Sequence, residues 1–226
     1  VATFVLIPGA GADPRVYRAT IEALRELGHD GLAPPLPLDD PEAGPSDHAA
    51  AVVAAAPVDE RLIVVGQSLA AFTAPIAAER LGAARLILLA PMIPRPQETA
   101  GEWWANTGHE EAIADVLERF GPMREWGQEA FEYVFYADVD PAVLEENEGF
   151  DGAPGEGMFT EPWPLDAWPE VPTAVLAPRE DRLFPLEFQR RVCAERLGIL
   201  PEELPGGHLP MLARPRELAE RLVERA

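Results

Sequence analysis

Ten residues, Leu62-Ile-Val-Val-Gly-Gln-Ser-Leu-Ala-Ala71, constrain this chain more than any other stretch. An apolar run rich in β-branched residues ends at Gly66, a serine follows at 68, and Ala70 opens an alanine-rich helical pattern reaching Arg80. The stretch reads as strand, tight turn and helix, with Ser68 on the turn. So sharp a corner crowds the two backbones together two positions before and after the serine, where only very small side chains fit. Gly66 and Ala70 meet that need. GxSxA is one methyl group from GxSxG, the pattern that lifts a nucleophilic serine clear of a sheet and aims the following amide at a developing oxyanion. Small residues around a serine recur by chance, so the setting between strand and helix carries most of the weight.

The same alternation runs along the rest of the chain. Thr3 to Ile7 reads as a buried strand, broken by Pro8-Gly-Ala-Gly-Ala-Asp13 before a helix with apolar positions Val16, Tyr17, Ile21, Leu24 and Leu27 and a stop at Gly28. Asp13 and Pro14 suit its N-cap and first turn. Gly31 to Leu36 predicts a short second strand, His48 to Ala56 a helix, and Arg85 to Ala90 a strand beyond a helix cap at Gly82. After residue 170 the rhythm resumes with a strand over Val171 to Ala177 and a helix through Arg190, Cys193 and Leu197. A last strand spans Ile199 to Leu204, and the terminal helix carries Leu212, Leu218 and Leu222. Strands without a polar face that alternate with helices imply a parallel sheet covered on both sides. The expected fold is α/β: a three-layer αβα sandwich on a mostly parallel sheet of about six strands.

Between Pro94 and Glu170 the rhythm changes. This segment holds all five tryptophans and Tyr133 and Tyr136, with helical stretches near Glu110 to Phe120 and Glu125 to Tyr136 and a Gly/Pro-rich stretch from Gly149 to Pro164. The expected organisation is a core domain of residues 1–93 and 171–226 carrying a helical cap over 94–170. Such aromatics either line an apolar pocket or simply glue the insert to the core.

Composition narrows the chemistry. The formal net charge is −21, from 39 acidic and 18 basic residues, and every basic one is arginine. A field of that sign repels nucleic acid and anionic membranes and favours neutral or cationic small molecules. Without lysine there is no Schiff base, P-loop lysine or lysine general base. Cys193, the single cysteine, excludes a disulfide framework and a cysteine metal site. No apolar run approaches the roughly 20 residues of a membrane span. The expectation is a soluble cytoplasmic protein, monomer or homodimer, acting on a small molecule.

A serine nucleophile needs a base to take its proton and a carboxylate to orient that base. Both should lie at strand ends, because the C-terminal edges of a parallel sheet open on one side. Asp181 follows one strand and His208 the last, in the chain order Ser68, Asp181, His208. Glu180 is a rival for the carboxylate. His29, His48 and His109 suit surface or capping roles better. No histidine pair has metal-ligand spacing, so no metal is expected. Gly9 and Gly11 permit a dinucleotide loop, but Pro14 occupies the third glycine position of GxGxxG. The alternative is that a backbone amide of this loop, that of Ala10, faces the carbonyl attacked by Ser68.

With these residues in place, the chain resembles the α/β-hydrolase fold superfamily, in particular its branch of plant-type methyl esterases and hydroxynitrile lyases. The matching pieces are Phe4-Val-Leu-Ile-Pro-Gly-Ala10, Gly66-Gln-Ser-Leu-Ala70, Asp181-Arg-Leu-Phe-Pro-Leu-Glu-Phe-Gln189 and Gly206-Gly-His208 with Arg216-Glu-Leu-Ala219 behind it. The match flanks the insert and fades inside it. The resemblance implies a Ser-His-Asp triad, an oxyanion hole from the Ala10 and Leu69 amides, and no cofactor. The first strand here matches the family's third, so the expected fold is one lacking the leading hairpin. Pro8 stands where the family usually has the histidine of its HG pair. Similar hydroxynitrile lyases carry threonine at the Gly9 position and a lysine where this chain has Leu209, which argues against cyanohydrin cleavage. The expected function is a serine esterase cleaving a small to medium, largely apolar ester or lactone, with Met92, Trp104, Phe184 and Leu209 near the substrate. Two alternatives are a triad-using biosynthetic enzyme (C–C hydrolase, lactonising or cyclising enzyme) and a non-catalytic small-molecule receptor.

Overall fold

The computed structural model describes residues 1–58, 61–149 and 154–226. Six strands form its sheet: β1 (Thr3–Ile7), β2 (Asp30–Leu32), β3 (Leu62–Gln67), β4 (Arg85–Leu89), β5 (Thr173–Pro178) and β6 (Glu202–Leu204), in the order β2-β1-β3-β4-β5-β6. Every neighbouring pair is parallel, with Ile7 opposite Gly66 and Gln67 opposite Leu89. The loops that leave β1, β3, β5 and β6 therefore gather on one rim.

Both sheet faces are apolar because the side-chain period of a strand is two. Val5, Ile7, Val64, Leu86, Leu88 and Val175 point into one core, which also takes in helix Ala74–Leu81 and the residues between β4 and β5. Phe4, Leu6, Ile63, Val65, Ile87, Leu89 and Leu176 point into the other, against Leu24 of helix Arg18–Glu26 and Leu218 and Leu222 of helix Pro215–Glu224. This is the sandwich the alternation predicts.

Where local structure departs from expectation, proline and glycine explain it. The helix expected from His48 begins at Pro45, since proline costs nothing in a first turn whose N–H groups are unpaired anyway, and Asp47 Oδ2 accepts from the Gly44 amide at 3.1 Å. The elbow helix divides into a 3-10 turn, Ser68–Ala71, and helix Ala74–Leu81 with Pro75 in its first turn. The terminal helix divides at Pro215. The second and last strands are shorter than their apolar runs, at three residues each.

The segment between β4 and β5 is built of short helices, the longest of them Gln128–Phe135. Part of the Gly/Pro-rich stretch, residues 150–153, lies outside the described residues. Trp103 and Trp163 are fully buried, and their indole N–H groups donate to the Ile93 and Phe72 carbonyls at 2.9 and 3.1 Å. These two tryptophans anchor the segment to the core. No helix among the described residues is long and apolar enough to cross a membrane.

One buried ion pair fastens the segment at its start. Arg196, near the end of helix Leu186–Leu197, holds Glu98 with both guanidinium nitrogens, one at 3.0 Å, and the two side chains are 2% and 4% exposed. Asn106 Nδ2 and the Arg95 amide complete the carboxylate's bonds at 2.8 and 3.1 Å. Burial pushes the Glu98 carboxyl up, but the hydrogen bonds from Arg196 and Asn106 and the Arg196 charge outweigh it and hold the group below its ordinary range. Glu98→Gln leaves the guanidinium buried without its counter-charge and is expected to cost about 3–5 kcal/mol in urea unfolding. Because the folded-state value is the lower one, this contribution is whole above the ordinary carboxylate range and fades as pH falls through the folded value. The gap between wild type and variant should therefore narrow in acid; a loss under about 1 kcal/mol at neutral pH would show that the pair is not the fastening.

Candidate active site

β3 delivers Ser68 to the rim in a strained conformation. Its φ of 53° is left-handed, rare for a residue with a Cβ and costing about 1–3 kcal/mol. Packing enforces it: a Cβ on Gly66 would stand 2.5 Å from the Ala74 Cβ and 3.0 Å from the Ala70 carbonyl oxygen. The small residues expected around the serine are thus needed where strand and helix touch. The Met92 amide donates to the Ser68 carbonyl at 3.0 Å and fastens the corner from the β4 side.

His208 reaches the same rim through a double-glycine turn. Gly206 has φ 99°, and its amide donates to Glu180 Oε2; the Gly207 amide donates to Asp138 Oδ2 at 2.8 Å. A Cβ on Gly207 would lie 2.7 Å from Asp138 Oδ1, so a side chain there would have to displace the Asp138 carboxylate. His208 Nε2 then lies 3.1 Å from Ser68 Oγ, and Nδ1 lies 2.8 Å from Asp181 Oδ2. Asp181 Oδ1 accepts from the Leu183 and Phe184 amides, both at 2.9 Å, which turns the carboxylate toward the imidazole. Glu180, the rival carboxylate, is spent on the Gly206 amide. Phe184 and Phe135 meet the His208 ring edge-on at centroid distances of 5.2 and 5.5 Å and restrict its rotation.

Gln67 escaped sequence analysis and joins three loops. Its Oε1 accepts from the Gly9 amide at 2.9 Å while its Nε2 donates to the His208 carbonyl at 3.2 Å. The available signal was a lone amide side chain closing an otherwise apolar strand, a polarity that demands partners once buried. Gly9 is held equally close: a Cβ there would meet Gln67 Oε1 at 2.4 Å and the Ser68 Cβ at 2.9 Å.

The Ala10 and Leu69 amides donate to no hydrogen-bond acceptor among the described residues. Both residues line a narrow cleft with Ile7, Leu36, Leu38 and Met158 among its apolar walls; Ser68 and His208 are not among the residues that line it. Unpaired amides facing such a cleft can stabilise negative charge on a carbonyl oxygen.

None of the four residues expected near substrate lines this cleft, and neither do Ser68 and His208. Met92 is buried behind the serine corner. Phe184 backs His208. Trp104 packs on Trp103 and His109 at ring distances of 5.4 and 4.7 Å. Leu209 lies against the core on the other face of the sheet.

Two histidines expected in surface or capping roles are buried. His109, 1% exposed, donates through Nε2–H to the Leu183 carbonyl, 2.7 Å away, beneath Phe184. His48, 8% exposed, lines the cleft. Burial lowers both pKa values, against the neighbouring Leu183 carbonyl for His109 and against Asp47 and Glu161 for His48. Helix contacts invisible in a linear sequence account for both corrections. His29 stays at the rear junction, its Nδ1 accepting from the Ala2 amide at 3.3 Å.

Residues 4–221 match the Alpha/beta hydrolase family. No match is found among curated proteins. Several solved structures share the fold over nearly the whole chain. Polyneuridine aldehyde esterase superposes with a TM-score of 0.80 at 19% identity, covering 99% of this chain and 98% of its own. A pyrethroid hydrolase from Sphingobium faniae gives 0.74 at 22%, covering 99% and 96%. A variant of tomato methylketone synthase I complexed with beta-ketoheptanoate gives 0.76 at 18%, covering 99% and 96%.

Proposed function

We propose that this chain, which belongs to the alpha/beta hydrolase family, is a serine esterase acting on small to medium, largely apolar and uncharged carboxylic esters or lactones. The observation that carries the reading is the unbroken line Ser68 Oγ, His208 Nε2, His208 Nδ1, Asp181 Oδ2, at 3.1 and 2.8 Å, beside two unpaired amides.

In this reading His208 Nε2 takes the proton of Ser68 as Oγ bonds to the ester carbonyl carbon. The carbonyl oxygen becomes an oxyanion held by the Ala10 and Leu69 amides. The C–O bond to the alcohol then breaks as His208 returns the proton to the leaving oxygen, leaving an acyl-Ser68 intermediate. Water, deprotonated by the same nitrogen, attacks that ester and frees the acid. Asp181 keeps Nδ1–H pointed away from the serine and supports the transient imidazolium. Apolar cleft walls and the net charge of −21 favour uncharged substrates over anionic ones.

The test is covalent. A fluorophosphonate should label one residue, Ser68, by peptide mass spectrometry, and labelling should abolish hydrolysis of p-nitrophenyl acetate in step with its stoichiometry. Hydrolysis that survives complete labelling, or a label elsewhere, would overturn the reading.

A further inference from the structure

The mechanism gives the segment between β4 and β5 little to do, yet that segment holds the loop that bears the triad carboxylate. His109, at the start of the short helix His109–Ala112, donates from Nε2 to the Leu183 carbonyl at 2.7 Å. Burial lowers the pKa of its ring and keeps it neutral, so it has a single N–H, and a carbonyl partner fixes that proton on Nε2. Tyr133 adds a second hold on the same loop. Its carbonyl accepts from Arg182 at 2.9 Å, and the Arg182 guanidinium lies 4.0 Å from the centre of its ring. What sets His109 apart from Arg182 is the peptide group that it grips.

The Leu183 carbonyl and the Phe184 N–H are the two ends of one peptide unit. That N–H donates to Asp181 Oδ1 at 2.9 Å, and Asp181 Oδ2 lies 2.8 Å from His208 Nδ1. A hydrogen-bonded chain thus runs from His109 through one rigid peptide to Asp181, His208 and, at 3.1 Å, Ser68 Oγ. Because the peptide is planar, its C=O and N–H turn together. Without its donor the Leu183 carbonyl becomes a buried polar group in need of a partner, and the peptide is driven to turn toward another one. The same turn swings the Phe184 N–H off Asp181 and leaves Oδ1 with the Leu183 amide alone. Polarisation acts in the same direction, since a carbonyl that accepts a bond makes the N–H of its own peptide a better donor. The His109 ring also meets Phe184 edge-on at 5.5 Å, and Phe184 in turn meets the His208 ring.

We infer that His109 is a positioning residue for the triad: through the Leu183–Phe184 peptide it holds the Asp181 carboxylate on His208, which gives the segment between β4 and β5 a part in the chemistry. This inference rests on the serine esterase reading above.

The experiment separates the donor from the ring. His109→Phe keeps an aromatic ring among Trp104, Phe184 and Phe188 and removes the donor; His109→Gln keeps a donor at the reach of Nε2 and removes the ring. The Phe variant should lose about 10- to 100-fold in kcat for p-nitrophenyl acetate with KM within about threefold of wild type, because a misaligned base slows chemistry without weakening substrate binding. The Gln variant should recover most of that loss. In an Asp181→Asn background the same His109→Phe change should cost no more than about twofold, since the chain is already cut downstream. A packing role alone would show the full loss in both backgrounds and no recovery by Gln. That pattern, or a kcat for the Phe variant within about twofold of wild type, would overturn the inference, while fluorophosphonate labelling of Ser68 leaves the esterase reading standing. If wild type hydrolyses no ester, the esterase reading fails, and the low-field proton resonance of His208 Nδ1–H decides. Its displacement in His109→Phe and return in His109→Gln would support the chain; an unchanged resonance would overturn it. If His109→Phe does not fold, the ring nitrogen shifts of His109 in wild type decide: a proton on Nε2 supports the chain, and a proton on Nδ1 overturns it.

Discussion

Ser68→Ala is expected to lower kcat for p-nitrophenyl acetate by roughly 10⁶-fold while leaving the unfolding midpoint almost unchanged. The first half follows from removal of the attacking oxygen: His208 has no proton to take, and the surviving amides of Ala10 and Leu69 can assist only a water molecule. A residual rate about 10³–10⁴ above that in water should persist for this reason. The second half follows from the backbone. Alanine at 68 inherits the same left-handed φ of 53°, enforced by the contact of Gly66 with Ala74, so the corner is no more and no less strained than before. The decisive measurement is the burst-free steady-state rate of purified variant, with wild-type contamination bounded by active-site titration. A rate within tenfold of wild type would remove Ser68 from the mechanism.

The elbow was legible because its constraint is local. Gly66, Ser68 and Ala70 crowd one another within five residues, and any chain that turns from strand to helix so sharply must show it in sequence. The layered sheet was legible for a related reason: runs such as Phe4-Val-Leu-Ile7 and Leu86-Ile-Leu-Leu89 have no polar side, and only burial on both faces tolerates that. His48 and His109 were misread because their burial is set by what packs on them, and a histidine in a polar stretch of sequence carries no mark of a distant helix. The Glu98 and Arg196 pair was invisible for the same reason, its members being 98 residues apart. Sequence alone favours Asp181 over its rival Glu180, but it does not show which of the two carboxylates reaches the histidine. Adjacent residues leaving a strand point to opposite sides, and which side faces His208 depends on β6 as well as β5.

That choice sets up the sharpest comparison of neighbouring variants. Asp181→Asn is expected to lower kcat by about 10⁴-fold, and Glu180→Gln by no more than a few-fold. In the first variant the amide oxygen keeps the position of Oδ1, where the Leu183 and Phe184 N–H groups demand an acceptor. The side-chain NH₂ must then face His208 Nδ1, which can meet a donor only by giving up its own proton. The imidazole is driven into the tautomer protonated at Nε2, facing Ser68 Oγ with a hydrogen where it needs a lone pair. The rate falls although no atom has moved far. Glutamine at 180 still offers an oxygen to the Gly206 amide and preserves the turn that presents the histidine. Equal losses in the two variants would mean that both carboxylates merely support the loop, and the orienting role of Asp181 would be gone.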